Sequence, residues 1–123
     1  MPGRVLAVDD DPQMIKLMLL ILQKRGYECD GATSGQQALE VVRTAPPDVI
    51  LLDDMMPDMH GHEVCRRLRA DPTTQDIPIV MCTARRDTDE YGAVCLEAGA
   101  NSLLLKPFTP DSLVSAVREF LPD

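Results

Sequence analysis

The chain has 123 residues, 45% of them hydrophobic, and carries 20 acidic against 12 basic side chains, for a net charge of −8 at pH 7. This length favours a single domain over residues 1–123 that buries one core without disulfides. The negative charge repels phosphate backbones, so we expect no direct binding of nucleic acid by this chain. No apolar run approaches the roughly 20 residues of a membrane helix, so we expect no membrane association.

The cysteines indicate a reducing compartment. Cys29, Cys65, Cys82 and Cys95 form no CxxC pair and have no histidine at zinc-site spacing. The N-terminus also lacks the basic and apolar regions of a signal peptide. We therefore expect reduced, mostly buried thiols in a cytoplasmic protein.

The first β-α unit combines a short apolar strand with an amphipathic helix. Residues 5–8 predict the strand, and Asp11 and Pro12 predict the helix start as its N-cap and first turn. Gly26 predicts the end of the helix. An apolar stripe at helical spacing is expected to face the core, and it comprises Met14, Leu17, Met18, Ile21 and Leu22.

The second and third units repeat this alternation. Residues 27–32 and 49–52 predict strands, and the second of these is unbroken aliphatic, as in strands covered on both faces. A helix is predicted at about 36–43, before a pair of prolines, and another ends before Pro72. The inward positions of the latter are Val64, Cys65 and Leu68.

Residues 77–82 and 103–105 predict the last two strands. The fourth helix is predicted to end before Gly99, and the fifth to begin at Thr109 and Pro110. Their inward residues are expected to be Tyr91, Val94, Cys95 and Ala98 in the fourth helix and Leu113, Val114, Val117 and Leu121 in the fifth. Five β-α units with short connections predict a doubly wound α/β fold, with a five-stranded parallel sheet and helices on both faces.

Polar residues follow the predicted strands at the edge where doubly wound folds bind ligands. They are Asp9 and Asp10 after strand one, Asp53 after strand three, Thr83 after strand four and Lys106 after strand five. Carboxylates brought this close repel one another unless a hard cation neutralises them, which favours Mg²⁺ or Mn²⁺. Each residue alone has a simpler interpretation as a helix cap, a turn residue, a strand-end hydroxyl or a solvated charge. Together they supply the groups needed to transfer a phosphoryl group to an aspartate.

Four segments of the chain resemble the receiver domains of two-component response regulators, including the chemotaxis regulators. They are VLAVDDDP (5–12), PDVILLDDMMPDMHG (47–61), IPIVMCTA (77–84) and GANSLLLKPF (99–108), and the resemblance covers essentially the whole chain. It implies the flavodoxin-like strand order 2-1-3-4-5, for which a chemotaxis member of this family is a standard example. It also implies a signalling switch rather than an enzyme, one that catalyses only its own phosphorylation and dephosphorylation.

The resemblance assigns roles to the site residues. Asp53 would accept the phosphoryl group from a sensor histidine kinase or a phosphotransfer protein. The metal ligands that it implies are the side chains of Asp9, Asp10 and Asp53 and the backbone carbonyl of Met55. Lys106 would contact the phosphoryl oxygens, beside a cis Lys106–Pro107 peptide bond. Thr83 would move to the phosphoryl group and alter the surface of helix four, strand five and helix five, where an output domain or partner protein would bind.

Three positions depart from the family pattern. Leu103 stands where the family usually has Tyr or Phe, so we expect no aromatic switch of the usual form. His60 stands where the family often has Asp, and we interpret His60 and His62 as solvated loop residues rather than a metal pair. Asp54 follows the acceptor where an apolar or aromatic residue is usual. Because successive side chains of an extended segment point in opposite directions, we expect Asp54 to turn towards the rim of the site.

Three other functions are open at this point. A degenerate receiver would act as an interaction module without phosphorylation, although it would normally lack one of the site residues, and all are present. A phosphatase or phosphotransferase of the aspartyl-phosphate class usually needs a second carboxylate two positions after its nucleophile, where this chain has Met55. A flavin carrier would need a hydroxyl- and glycine-rich loop after strand one, and the turn here is acidic.

Overall fold

The computed structural model describes residues 3–121, which form five strands alternating with five helices. The strands are β1 (Arg4–Val8), β2 (Glu28–Ala32), β3 (Val49–Asp53), β4 (Ile79–Thr83) and β5 (Ser102–Leu105). The helices are α1 (Pro12–Lys24), α2 (Gly35–Thr44), α3 (Gly61–Ala70), α4 (Thr88–Ala98) and α5 (Pro110–Arg118).

The strands form one parallel sheet in the order β2-β1-β3-β4-β5. This order confirms both the predicted doubly wound architecture and the strand order implied by the family resemblance. Because β1 lies between β2 and β3, the connections run outward in both directions from this point of the sheet. The carboxyl ends of β1 and β3 therefore lie at the topological switch point, where such folds bind their ligands.

The sheet separates two hydrophobic cores, because alternate side chains of a strand point to opposite faces. One core packs α1 and α5 against the first face, and the other packs α2, α3 and α4 against the second. In β3, Leu51 belongs to the core under α1 and α5, and Leu52 belongs to the core under α2, α3 and α4, called here the α4-side core. The same alternation in the next two residues directs Asp53 towards the α1/α5 face and Asp54 towards the α4 face.

Several helix ends lie where the sequence predicts them. The Asp11 carboxylate accepts a hydrogen bond of 2.9 Å from the backbone N–H of Gln13 and thereby caps α1. Gly26, with φ of 93°, follows the C-cap of this helix. A reciprocal capping box between Thr109 and Ser112 begins α5. Such caps satisfy backbone N–H groups that have no partner within the helix.

The fourth strand is displaced from its predicted bounds. It was expected at 77–82, whereas β4 begins at Ile79 and extends to Thr83. Pro78 has no N–H to donate to a ladder, which is consistent with the later start. The shift places Thr83 within the strand rather than after it.

Two residues predicted to face the core are exposed instead. Leu17 of α1 is 47% exposed and Val94 of α4 is 46% exposed. The buried residues of α1 are Ile15, Met18 and Leu22. Apolar residues occupy most of the circumference of α1, so more than one stripe satisfies the helical spacing, and only packing against the sheet selects between them.

Within the described residues, no helix is both long and apolar enough to cross a membrane. All four cysteines are free thiols, and three of them are buried, as the sequence predicts.

Candidate functional site

Three carboxylates converge at the carboxyl ends of β1 and β3. Asp9 and Asp53 are each 4% exposed, whereas Asp10 is open to solvent. Ligand oxygens from all three side chains lie within 4.8 Å of one another. The strands that carry them are hydrogen-bonded neighbours that end together, which brings residues far apart in sequence to one point.

Lys106 joins this cluster from the end of β5. Its Nζ donates hydrogen bonds of 3.0 Å to Asp9 Oδ2 and 3.0 Å to Asp53 Oδ1. Its backbone N–H donates to the carbonyl of Thr83 at 2.8 Å, which extends the pairing of β5 with β4 and directs the side chain over the sheet edge. The Lys106–Pro107 peptide bond is cis, as the family resemblance implies.

The electrostatics of the cluster favour an added cation. Burial raises the pKa of Asp53 from 3.8 to about 6, an effect that the hydrogen bond and charge of Lys106 only partly oppose. Burial also lowers the pKa of Lys106, but its hydrogen bonds and ion pairs with Asp9 and Asp53 outweigh this, and the net shift is upward. Three carboxylates and one ammonium group leave two negative charges at the site.

A divalent ion fits this residual charge and donor set. The side chains that converge offer carboxylate oxygens, which are preferred by hard cations such as Mg²⁺ and Mn²⁺. Asp9, Asp10 and Asp53 would hold the ion, which when bound neutralises charge on the carboxylates and on phosphoryl oxygens. The ligand role of the Met55 carbonyl stays a prediction.

Thr83 lies close to the cluster, but its hydroxyl is directed away from Asp53. It is fully buried and donates a hydrogen bond of 2.8 Å to Asp54 Oδ2. The phenol of Tyr91 in α4 donates to the same oxygen, also at 2.8 Å. Burial and then this hydrogen bond to a carboxylate raise the pKa of Tyr91.

The expectation that Asp54 turns towards the rim is wrong. Its side chain does point away from that of Asp53, but the opposite face of the sheet is covered by α4, so Asp54 is only 5% exposed. Tyr91 was predicted as a core residue and its hydrogen bond was missed. A buried tyrosine hydroxyl usually finds a polar partner, and that rule is the signal that points to it.

Of the two histidines, His60 matches the expectation of a solvated loop residue and His62 does not. His60 is exposed and precedes α3, but His62 lies in the first turn of that helix and is half-buried. Its ring packs edge-on against Tyr91 with 5.4 Å between centroids, and its Nε2 lies 3.7 Å from Cys95 Sγ. Burial lowers the pKa of His62. Among the described residues, the side-chain cluster suited to a metal is the aspartate trio.

A parallel sheet in this strand order, with acidic residues and a lysine at its switch point, defines the class of receiver-type signalling domains. Residues 5–118 match the family model described as the response regulator receiver domain. The chain belongs to the response regulator receiver family.

Named relatives share this assignment. The chain is 44% identical over 118 residues to the DNA-binding response regulator MtrA of Mycolicibacterium smegmatis, covering 96% of this chain and 50% of that protein. It is 41% identical over 117 residues to the phosphate regulon transcriptional regulatory protein PhoB of Pseudomonas aeruginosa, covering 95% of this chain and 51% of that protein. The chain thus spans about half the length of these curated relatives.

A solved structure supports the fold over the same range. The chemotaxis response regulator CheY4 of Vibrio cholerae superimposes with a TM-score of 0.92 at 32% identity, covering 98% of this chain and 99% of that one. Structural similarity therefore extends over both cores and the switch point.

Proposed function

We propose that this receiver domain accepts a phosphoryl group on Asp53 with the help of Mg²⁺ or Mn²⁺, and that the resulting acyl phosphate controls an output partner or domain. The observation that carries the proposal is the position of Lys106 Nζ, 3.0 Å from both Asp9 and Asp53, beside the carboxylate of Asp10. A buried carboxylate, a fixed cation and a divalent-ion site are the groups that phosphoryl transfer to aspartate requires.

Asp53 is the nucleophile in this proposal. With a pKa of about 6, most of the carboxylate is ionised at neutral pH even before a cation binds. One carboxylate oxygen forms a P–O bond while the P–N bond of a donor phosphohistidine breaks, and the imidazole leaves with the electron pair and takes a proton from solvent. Lys106 stabilises negative charge on the transferred phosphoryl oxygens, because its ammonium group is already held at the acceptor.

The donor is a sensor histidine kinase or a phosphotransfer protein, and the protein acts in the cytoplasm. The domain works as a switch that catalyses only its own phosphorylation and dephosphorylation. Its output surface comprises α4, β5 and α5, a proposal supported by exposed apolar side chains on the first two of these elements. They are Val94, Leu96 and Leu105. A partner that covers these side chains would remove their apolar surface from water, which favours association.

The test is intact-protein mass spectrometry after incubation with acetyl phosphate and Mg²⁺. The wild-type chain should gain one phosphoryl group, and chelation of the metal should prevent the gain. Asp53→Asn should gain none, whereas the matched neighbour variant Asp54→Asn should still be modified. A wild-type chain that stays folded but takes no phosphoryl group would contradict the proposal and favour the phosphorylation-independent interaction module.

A further inference from the structure

Asp54 and Thr83 lie side by side because of the register between β3 and β4. Asp53 pairs with Cys82 in this parallel ladder, and the backbone N–H of Asp54 donates to the carbonyl of Cys82 at 3.1 Å. The next residue of each strand therefore points to the same face of the sheet, the one covered by α4. This explains why the Thr83 hydroxyl meets the carboxylate of Asp54 rather than that of Asp53.

The one proton of the Thr83 hydroxyl is already donated in this arrangement. It donates to Asp54 Oδ2 at 2.8 Å and accepts from the backbone N–H of Arg85 at 3.0 Å. A hydroxyl has a single proton to donate. Thr83 therefore cannot donate to a phosphoryl oxygen on Asp53 until it gives up its hydrogen bond to Asp54.

The same Asp54 oxygen is connected to α4 through Tyr91. The phenol donates to Oδ2 at 2.8 Å. The ring forms a T-shaped pair with His62 and also contacts the guanidinium of Arg85, whose Cζ lies 4.2 Å from the ring centroid. Leu103 occupies β5 at the position where an aromatic residue is usual in the family. In this chain an aromatic side chain reaches the threonine from α4 instead, through one shared carboxylate oxygen.

We propose that Asp54 is a positioning residue that holds the Thr83 hydroxyl away from Asp53, the phosphoryl acceptor. We further propose that Tyr91 transmits the displacement of this hydroxyl to α4. This inference rests on the proposed function, because it assumes that an oxyanion on Asp53 competes for the Thr83 proton. When Thr83 turns to that oxyanion, Asp54 Oδ2 retains Tyr91 as a donor, so the position of Tyr91 responds to the change. A ligand shifts such an equilibrium only by its differential affinity for the two states.

The affinity test uses beryllofluoride with Mg²⁺ as the phosphoryl mimic and compares two variants that both remove the charge of Asp54. Asp54→Asn keeps a carbonyl oxygen that can accept from Thr83, whereas Asp54→Leu removes the acceptor. Asp54→Leu should bind beryllofluoride about tenfold more tightly than Asp54→Asn, as expected when a hydrogen bond to a polar acceptor no longer competes. In a Thr83→Val background the two variants should bind equally, because no hydroxyl remains to be positioned.

The transmission test uses Tyr91→Phe, which keeps the ring against His62 and Arg85 and removes only the hydroxyl. The changes in amide chemical shift of α4 on adding beryllofluoride and Mg²⁺ should be smaller than in wild type. The changes at residues next to Asp53 should persist. This variant is conservative enough to fold even if the Asp54 variants do not.

The outcomes separate the two proposals. Equal beryllofluoride affinity in Asp54→Leu and Asp54→Asn, or an undiminished α4 response in Tyr91→Phe, would overturn the inference and leave the proposed function intact. A wild-type chain that does not bind beryllofluoride in the presence of Mg²⁺ would overturn both.

Discussion

Asp53 and Asp54 are adjacent, and their exposed fractions are 4% and 5%, but their surroundings have little in common. Asp53 faces other charges, with Lys106 at 3.0 Å and two more carboxylates nearby. Asp54 faces two neutral hydroxyl donors, from Thr83 and Tyr91. The difference shows how one step along a strand separates an ionic site from a hydrogen-bonded one, because the step crosses the sheet. Burial alone therefore does not identify the carboxylate proposed as the phosphoryl acceptor.

The largest expected effect concerns the metal on the Asp53 side. Asp10→Ala should abolish Mg²⁺ binding, which in the wild type should lie in the millimolar to sub-millimolar range, about 4 to 6 kcal/mol. Titration calorimetry measures this directly. The control is Asp11→Ala, which removes a neighbouring carboxylate that caps α1 and lies outside the aspartate trio. Equal loss of binding in both variants would mean that general negative charge, and not the trio, attracts the ion.

Removal of the lysine should have the next largest effect. Lys106→Met should slow loading from acetyl phosphate by about 100-fold or more, because a preorganised cation at the phosphoryl oxygens is lost. Stopped-flow or quench measurements of acyl-phosphate formation check this. Lys16→Met, at an exposed position of α1, should load at the wild-type rate. A rate in Lys106→Met close to wild type would show that the charge of Lys106 beside Asp53 does not contribute to loading.

The pH dependence of stability in the absence of metal should also distinguish Asp53 from an exposed aspartate. Because burial raises its pKa from 3.8 to about 6, the folded chain binds this proton more tightly than the unfolded chain. The contribution of Asp53 to stability should therefore fall as pH rises from 3.8 to about 6, and the penalty should persist above that range. At pH 7, Asp53→Asn should be more stable than wild type by about 1 to 3 kcal/mol.

Urea denaturation with a chelator, followed across this pH range, measures that penalty. The control is Asp76→Asn at an exposed position, which should keep the wild-type pH dependence. With Mg²⁺ added, the wild type should gain stability and Asp53→Asn should gain little, since the variant lacks one of the three carboxylates proposed to hold the ion. An identical pH dependence in wild type and Asp53→Asn would contradict the environment assigned to this carboxylate.

The smallest effect is expected at Leu103, on the opposite side of the sheet from Asp53. This residue packs with the α4-side core, so Leu103→Ala should leave the loading rate nearly unchanged and alter only contacts made through the α4 and β5 surface. The loading assay measures the rate of phosphorylation, and a partner-binding assay measures the contacts of the α4 and β5 surface. A large drop in loading would show that the two sides of the sheet are not separable as described.

Much of the architecture follows from local sequence patterns. Aliphatic strands alternating with capped helices predict five β-α units. Asp9, Asp53 and Lys106 lie at the carboxyl ends of three of these strands, which brings them together at one edge of the sheet. Spacing does not determine the order of strands in the sheet, because every crossover is long enough to place the next strand beside any of several others. That order came from the family resemblance, and the sheet confirms it.

The side-chain environment of Asp54 could not be deduced in the same way. Strand alternation correctly separates it from Asp53, but whether the far side is solvent or protein depends on where α4 packs. The same alternation applied to β4 contains a further clue: Met81 belongs to the α4-side core, so Thr83 two residues later belongs with Asp54 rather than with Asp53. The register between β3 and β4, a long-range property, is needed to place the two residues next to each other.

The most direct test of the division between the two aspartates is peptide mapping after borohydride trapping of the acyl phosphate. Wild-type protein loaded with acetyl phosphate and Mg²⁺ should carry the reduced product on Asp53, and Asp54→Asn should carry it at the same residue. Reduced product on Asp54, or undiminished trapping in Asp53→Asn, would contradict the assignment.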